Sequence, residues 1–181
     1  YAKKKGITVL YYIPPKAWAW KPWRRHALKR YTDHVAVLLP FEVPFFQQAH
    51  IPVSQVHHPL LDSLAQQPPR QTLIQRWQLN PKDKIITLLP GSRSMEWRCM
   101  LPILIKSACL LKKDWPNVQF LLPLSKASEH KAIERIIQPY PIPVHVLPDE
   151  AQAALSISDL ALAVSGTVTL EAALLHIPMV I

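Results

Sequence analysis

Short apolar runs alternate with longer amphipathic ones along the whole chain. The runs at Ile7 to Ile13, His34 to Leu39, Val53 to Val56, Lys84 to Leu89, Val118 to Leu122, Val144 to Leu147, Leu160 to Val164 and from Met179 onward predict strands. Between them, Trp23 to Tyr31, Phe41 to His50, Pro69 to Leu79, Glu96 to Trp115, Ser128 to Ile137, Glu150 to Ile157 and Thr167 to His176 have helical spacing. Ile85-Ile86-Thr87-Leu88-Leu89 and Val118-Gln119-Phe120-Leu121-Leu122 are apolar on both faces. A strand needs that when helices cover both sides of a parallel sheet. The alternation predicts an α/β class with doubly wound parallel sheets.

His57-His58-Pro59 reads as the close of one strand, and Gln66-Gln67-Pro68-Pro69 as a polar, proline-rich turn. Together they predict two partial domains, residues 1–65 and 66–181. The chain opens at Tyr1 and stops at Ile181, just after the apolar Pro178-Met179-Val180, so both ends read as internal to a longer protein.

With 49% hydrophobic and 18% charged residues, the chain can bury a sizeable core, which excludes a disordered protein. Charges or prolines cut every apolar run short of the roughly 18 residues of a membrane span. Charge is local: residues 1–33 hold nine Lys or Arg and one acid, a net +8 of the total +9. Such a patch suits an anionic surface better than a general basic surplus would. Cys99 and Cys109 fall in one predicted helix, about 15 Å apart at helical rise, which is too far for a disulfide and fits a reducing cytoplasm.

Three glycines occur where average usage would give about thirteen. Two of them follow strands: Gly91 in Leu89-Pro90-Gly91-Ser92-Arg93, and Gly166 in Ser165-Gly166-Thr167. Open parallel sheets bind ligands at the carboxyl ends of strands, where a glycine lets backbone approach a phosphate and helix-start amides donate to it. Ser92, Ser165 and Thr167 add hydroxyls, and Arg93 adds a forked cation suited to a diphosphate. Glu171, five residues beyond Gly166, is placed to accept hydrogen bonds from ribose hydroxyls. The plainer reading of each position is a tight turn, a helix cap or a favourable charge at a helix start.

Leu89-Pro90-Gly91-Ser92-Arg93-Ser94-Met95-Glu96 and Ser165-Gly166-Thr167-Val168-Thr169-Leu170-Glu171 resemble two signatures of the lipid-A-disaccharide synthases. Pro15-Lys16-Ala17-Trp18-Ala19-Trp20 resembles that family's tryptophan segment, and Leu39-Pro40-Phe41-Glu42 with Phe45-Phe46 resembles a further element. The resemblance implies a GT-B fold, residues 1–65 being the later part of its N-terminal domain and 66–181 the earlier part of its C-terminal domain. It also implies transfer of 2,3-diacylglucosamine from a UDP donor to 2,3-diacylglucosamine 1-phosphate, with inversion and release of UDP, and neither metal nor other cofactor. Gly91, Ser92, Arg93, Ser165, Gly166, Thr167, Glu171 and His58 would then face the donor. The family's proposed catalytic base lies upstream of Tyr1, so no catalytic residue is assigned and the chain is expected to be inactive alone. His57 stands where the family has glycine, Pro14 where it has serine, and Ala17 where it has valine.

Trp18, Trp20 and Trp23 lie among Lys16, Lys21, Arg24 and Arg25. Ordinary core packing explains buried tryptophans. Tryptophans interleaved with cations also suit a membrane interface, where Trp18, Trp20, Trp23, Arg24 and Arg25 would meet anionic lipid near acylated substrates. The corresponding location is the cytoplasmic face of the inner membrane of a Gram-negative bacterium. Two other functions account for parts of the sequence: a UDP-sugar epimerase of the same architecture, and a non-catalytic membrane or nucleic-acid module. No nucleic-acid motif accompanies the basic segment. Nothing in the sequence speaks to oligomeric state.

Overall fold

The computed structural model describes residues 1–125 and 129–181. They form two units, Tyr1–Pro59 and Leu60–Ile181. In the first, a 3-10 turn at Lys3–Lys5 precedes β1 (Leu10–Tyr12), α1 (Arg24–Tyr31), β2 (His34–Val37), α2 (Glu42–Gln47) and β3 (Val53–Gln55). The strands pair in parallel in the order β1-β2-β3. Val35 and Val37 of the central strand pack with Phe46, Ala49 and Ile51 in the core of this unit. The predicted strand over residues 7–13 contracts to three residues. Ile13 turns to a positive φ of 56°, and Pro14 and Pro15, which follow it, cannot donate to a ladder.

α3 (Pro59–Ala65) starts on the last residue of the first unit, and the second unit runs from its Leu60 through α4 (Arg70–Arg76), β4 (Lys84–Leu89), α5 (Ser94–Asp114), β5 (Val118–Leu124) and α6 (His130–Ile137). It continues with β6 (Val144–Pro148), α7 (Ala151–Ser156), β7 (Leu160–Ala163), α8 (Thr167–Leu174) and β8 (Met179–Val180). The strands form one parallel sheet in the order β6-β5-β4-β7-β8. Residues 85–89 of β4 are all buried, as the apolar pattern requires of a central strand covered on both faces. Ile86 and Leu88 face the α5 side with Leu101 and Ile105, while Ile85 faces the α4 side with Leu73 and Leu121. The sequence reading has no helix at α3. Pro59, read there as closing a strand, is instead its first residue, where a missing N–H costs nothing. Ser128, the predicted first residue of α6, lies outside the described residues.

One clamp recurs in both sheets. Asp33 precedes β2, and its Oδ2 accepts from Val9 N at 2.9 Å while its own amide donates to Val9 O. Asp159 precedes β7 and does the same with Ile85, accepting at 2.9 Å and donating to Ile85 O. In each, the second carboxylate oxygen meets a lysine at 3.0 Å, Lys3 or Lys84. The Val9 amide and Lys3 hold the Asp33 carboxyl below its ordinary value. At Asp159 partial burial pushes upward, but the Ile85 amide, Lys84 and Arg70 outweigh it and the net shift is downward.

Scarce glycine leaves its mark at the helix ends. α2, α4 and α8 each end in a left-handed residue that is not glycine: His50 (φ 54°), Gln78 (φ 54°) and His176 (φ 56°). Each makes the paired bonds of a Schellman turn, such as Leu79 N to Ile74 O at 2.9 Å and Gln78 N to Gln75 O at 3.2 Å. The following residues Ile51, Leu79 and Ile177 pack into their cores and close the turns from the apolar side. A left-handed Cβ costs about 1 kcal/mol, partly offset by the chain entropy that glycine adds to the unfolded state. Gln78→Gly is therefore expected to stabilise the protein by about 0.5 kcal/mol in urea denaturation. A midpoint that falls would show that the Gln78 side chain contributes more than its backbone costs.

Candidate functional site

From β4 the chain steps outward to β5 and β6, then returns to the opposite side of β4 with β7. The direction of winding therefore reverses between β4 and its neighbours, and the carboxyl ends there open into a crevice. A cavity of about 370 Å³ lies at this point. Gly91, Ser92 and Arg93, after β4, line one wall. Ser165, Gly166, Thr167 and Glu171, after β7, line the other. The structure thus brings together these seven residues that the sequence singled out. His58 falls in the first unit, between β3 and the start of α3.

The two walls differ chemically. Gly91 has φ +102°, and a Cβ there would come within 2.6 Å of Glu96 Cβ and Oε2. The loop's own acid, as much as any ligand, demands this glycine. Glu96 Oε2 accepts from the amides of Ser92 at 3.0 Å and Arg93 at 3.2 Å, and Oε1 pairs with Arg93 Nη1 at 3.0 Å. The expectation of free amides is corrected for Ser92 and Arg93, which Glu96 in the first turn of α5 already occupies, whereas those of Ser94 and Met95 have no acceptor among the described residues. Arg93, not Ser92, is the N-cap, and Glu96 at the third helical position reaches back to its amide, the one half of a capping box open to a guanidinium, which has no acceptor. The Arg93 amide and guanidinium, with the Ser92 amide, hold the Glu96 carboxyl below its usual value against partial burial.

Gly166 is different. Its φ of 175° is extended backbone open to any residue, and a Cβ would meet only Val164 O, at 4.0 Å. The fold does not require glycine there, and the space it leaves opens on the cleft. Thr169 closes the first turn of α8 through both its amide and its hydroxyl, which bond Gly166 O at 3.2 and 2.7 Å. The amides of Thr167 and Val168 have no acceptor among the described residues, as the first turn of a helix leaves them. Their partial positive charge faces the wall that Arg93 and Ser92 complete.

Glu171 is half-buried and also borders an adjoining cavity of about 330 Å³. Burial pushes its carboxyl above the ordinary glutamate value, and a hydrogen bond with Gln152 opposes the shift. Gln67 Nε2 in turn donates to Gln152 Oε1 at 3.3 Å. These glutamines had no signal in the sequence, being polar residues in a linker and a short helix. Ser125 was also missed: its Oγ donates to Ser92 O at 3.1 Å, tying the end of β5 to the Gly91 loop. A larger cavity of about 750 Å³ lies at the amino ends of β4 and β7, beside the last residue of α5. Its charged lining is balanced, Lys82 and Lys84 against Asp114 and Asp159, and it lies at the negative end of α5.

In the first unit, Trp18 donates from Nε1 to the buried Glu42 at 2.9 Å and meets Phe41 edge to face. Glu42 also accepts from Leu39 N at 3.1 Å, so it ties the turn that leads into α2 and anchors the tryptophan. Arg25 donates to Gln48 at 3.1 Å and lies over the Phe45 ring. Trp20 and Trp23 stay 65% and 63% exposed, Lys21 stacks 4.3 Å from the Trp20 ring centre, and Arg24 is exposed. The segment therefore divides into anchored residues, Trp18 and Arg25, and outward ones. Among the described residues, no helix is long and apolar enough to cross a membrane, and no three His, Cys, Asp or Glu side chains gather as for a metal. Cys99 and Cys109 are free thiols on α5.

A sequence model of the family described as lipid-A-disaccharide synthetase matches residues 1–181. Relatives named lipid-A-disaccharide synthase are 41% identical over 180 residues in Nitrosococcus oceani and 40% identical over 181 residues in Coxiella burnetii. Both matches cover 99% of this chain but 46% and 47% of the relatives, so the chain spans about half their length. Among solved structures, UDP-GlcNAc 2-epimerase from Neisseria meningitidis bound to UDP-GlcNAc is similar with a TM-score of 0.63 at 17% identity, over 99% of this chain and 54% of that one. A UDP co-structure of S. aureus MnaA gives 0.63 at 12% identity, over 98% and 51%. At these identities the likeness shows the fold, an α/β architecture of GT-B type with parallel sheets.

The Glu171 shift has a consequence for stability. A carboxyl raised in the folded state stabilises fully below its unfolded value and loses that contribution as pH rises through the folded one. At neutral pH the ionised Glu171 is thus a cost. Glu171→Gln should melt at higher temperature than wild type at pH 7, with the gap closing as pH falls below the ordinary value of 4.5. Melting curves across an acid pH series test this, and a gap that persists into strong acid would place its origin elsewhere.

Proposed function

Because the chain belongs to the lipid-A-disaccharide synthetase family, we propose that its cleft binds the UDP moiety of a 2,3-diacylglucosamine donor. The whole protein then transfers that sugar to 2,3-diacylglucosamine 1-phosphate. The observation that carries the reading is the meeting of Gly91, Ser92 and Arg93 with Ser165, Gly166, Thr167 and Glu171 across one cavity. In the reaction the bond from the sugar C1 to the phosphate oxygen of UDP breaks, and a bond to an acceptor hydroxyl oxygen forms with inversion. The hydroxyl proton goes to a base, to which no residue of this chain is assigned. Arg93 and the free amides at the start of α8 offset the charge growing on the departing diphosphate. Glu171, on the same wall, accepts from the ribose hydroxyls. His58 joins the donor side of the same reading, from the likeness of His57-His58-Pro59 to the family's Gly-His-Pro. The epimerase reading shares the fold, but the family match favours transfer.

On the first unit, the outward Trp20, Trp23, Lys21 and Arg24 form the part of the basic segment able to meet anionic lipid. The protein would then sit peripherally on the cytoplasmic face of the inner membrane of a Gram-negative cell, beside its acylated substrates.

Titration calorimetry separates the two walls of the cleft. Arg93→Ala should weaken UDP by about tenfold or more and leave uridine unchanged, since a charge-assisted bond to phosphate is lost. Glu171→Gln should weaken both ligands alike. Equal losses for UDP and uridine in Arg93→Ala would contradict the separate roles. On anionic vesicles, each cation contributes about 1 kcal/mol near the surface and is screened by salt. Co-sedimentation should therefore fall with ionic strength and with the pair Lys21→Gln and Arg24→Gln. Salt-independent sedimentation, equal in wild type and variant, would remove the membrane from the reading.

A further inference from the structure

The contact between Glu96 and Arg93 goes beyond helix capping. Among the described residues Arg93 is the one cation lining the cleft, and its side chain is 83% exposed. A free arginine that exposed samples many rotamers, and ordering it for a ligand costs side-chain entropy. Here one Nη is tethered to a carboxylate that cannot itself wander. Glu96 Oε2 is fixed by two backbone amides, and its Cβ rests in the space that Gly91 leaves empty. Ser125 Oγ holds the same loop from the β5 side through Ser92 O. The tether takes Nη1 only and leaves the other nitrogens of the guanidinium for a second anion.

We infer that Glu96 is a positioning residue of the donor cleft, holding the Arg93 guanidinium over the place of the diphosphate through a carboxylate locked to the Gly91 loop. This rests on the reading of the cleft as a UDP site. It assigns Gly91 a role besides closeness to ligand: glycine admits the anchor. The tether should act on the phosphates alone, because Glu96 touches nothing on the Glu171 side of the cleft that the structure records.

Glu96→Gln keeps an oxygen acceptor for the loop amides and removes the ion pair, so the variant tests the charge without removing the cap. UDP and uridine affinities are compared by calorimetry in wild type, Glu96→Gln, Arg93→Ala and the double variant, with melting curves on each. UDP binding several-fold weaker in Glu96→Gln, unchanged uridine binding and a double variant no weaker than Arg93→Ala would establish positioning. A merely structural role would weaken both ligands together or lower the melting temperature in step. If Arg93→Ala loses UDP affinity while Glu96→Gln binds UDP as wild type does, or more tightly, the inference fails and the UDP reading stands. If Arg93→Ala also leaves UDP unchanged, both fail.

Discussion

The pairing of β4 with β7 is the constraint on which the cleft depends. Residues 91–93 and 165–171 are far apart in the chain, and only the adjacency of the strands that precede them makes them opposing walls. Two things enforce it. β4 is apolar on both faces and must lie inside the sheet, with a neighbour on each side. Asp159 then sets the register by exchanging two hydrogen bonds with Ile85 just where β7 begins. A slip of one residue would turn Ile86 and Leu88 from the α5 side to the α4 side. It would also shift the Gly91 loop against the start of α8. The clamp is remote from the cleft, at the opposite ends of the strands, yet it determines which residues meet there.

Glycine scarcity shapes the same molecule in a second way. Where other chains end helices with glycine, this one uses His50, Gln78 and His176, and holds their strained backbones with a Schellman pair and a buried apolar residue behind each turn. The three glycines are thus not general loop formers. At Gly91 both the positive φ and the neighbouring Glu96 demand glycine. At Gly166 neither backbone conformation nor internal crowding does, and the open space on the cleft side is what remains to account for it.

Much of this was legible from residue patterns. Continuous apolar runs such as Ile85 to Leu89 marked buried parallel strands, and glycines after two of them marked the walls of the cleft. The helix ends were less legible. Phe41 to His50, Pro69 to Leu79 and Thr167 to His176 each read two or three residues too long, because no glycine announced the left-handed stop. α3 stayed hidden because a proline after two histidines looks like the end of a strand, although proline is equally at home in a first helical turn. In the basic segment, charge and aromatic spacing could not distinguish Trp18, bonded to Glu42, from the outward Trp20 and Trp23. That division depends on α2, whose Glu42 comes from a different part of the chain.

The least legible feature was the partnership within the Gly91 loop, and it changes how such a loop works. A glycine, a hydroxyl residue and an arginine at a helix start read as a set of donors awaiting an anion. In the structure the anion is already there, as the Glu96 carboxylate, and the amides of Ser92 and Arg93 are satisfied by it. Exposed as these donors are, a carboxylate three or four residues on can reach and satisfy them. A loop that caps itself is ordered before any ligand arrives, at the expense of its amide donors. On the opposite wall the residues lining the cleft include Thr167 and Val168, whose amides have no acceptor among the described residues. The cleft therefore combines one wall that is self-capped and presents a side-chain cation with one that presents bare backbone.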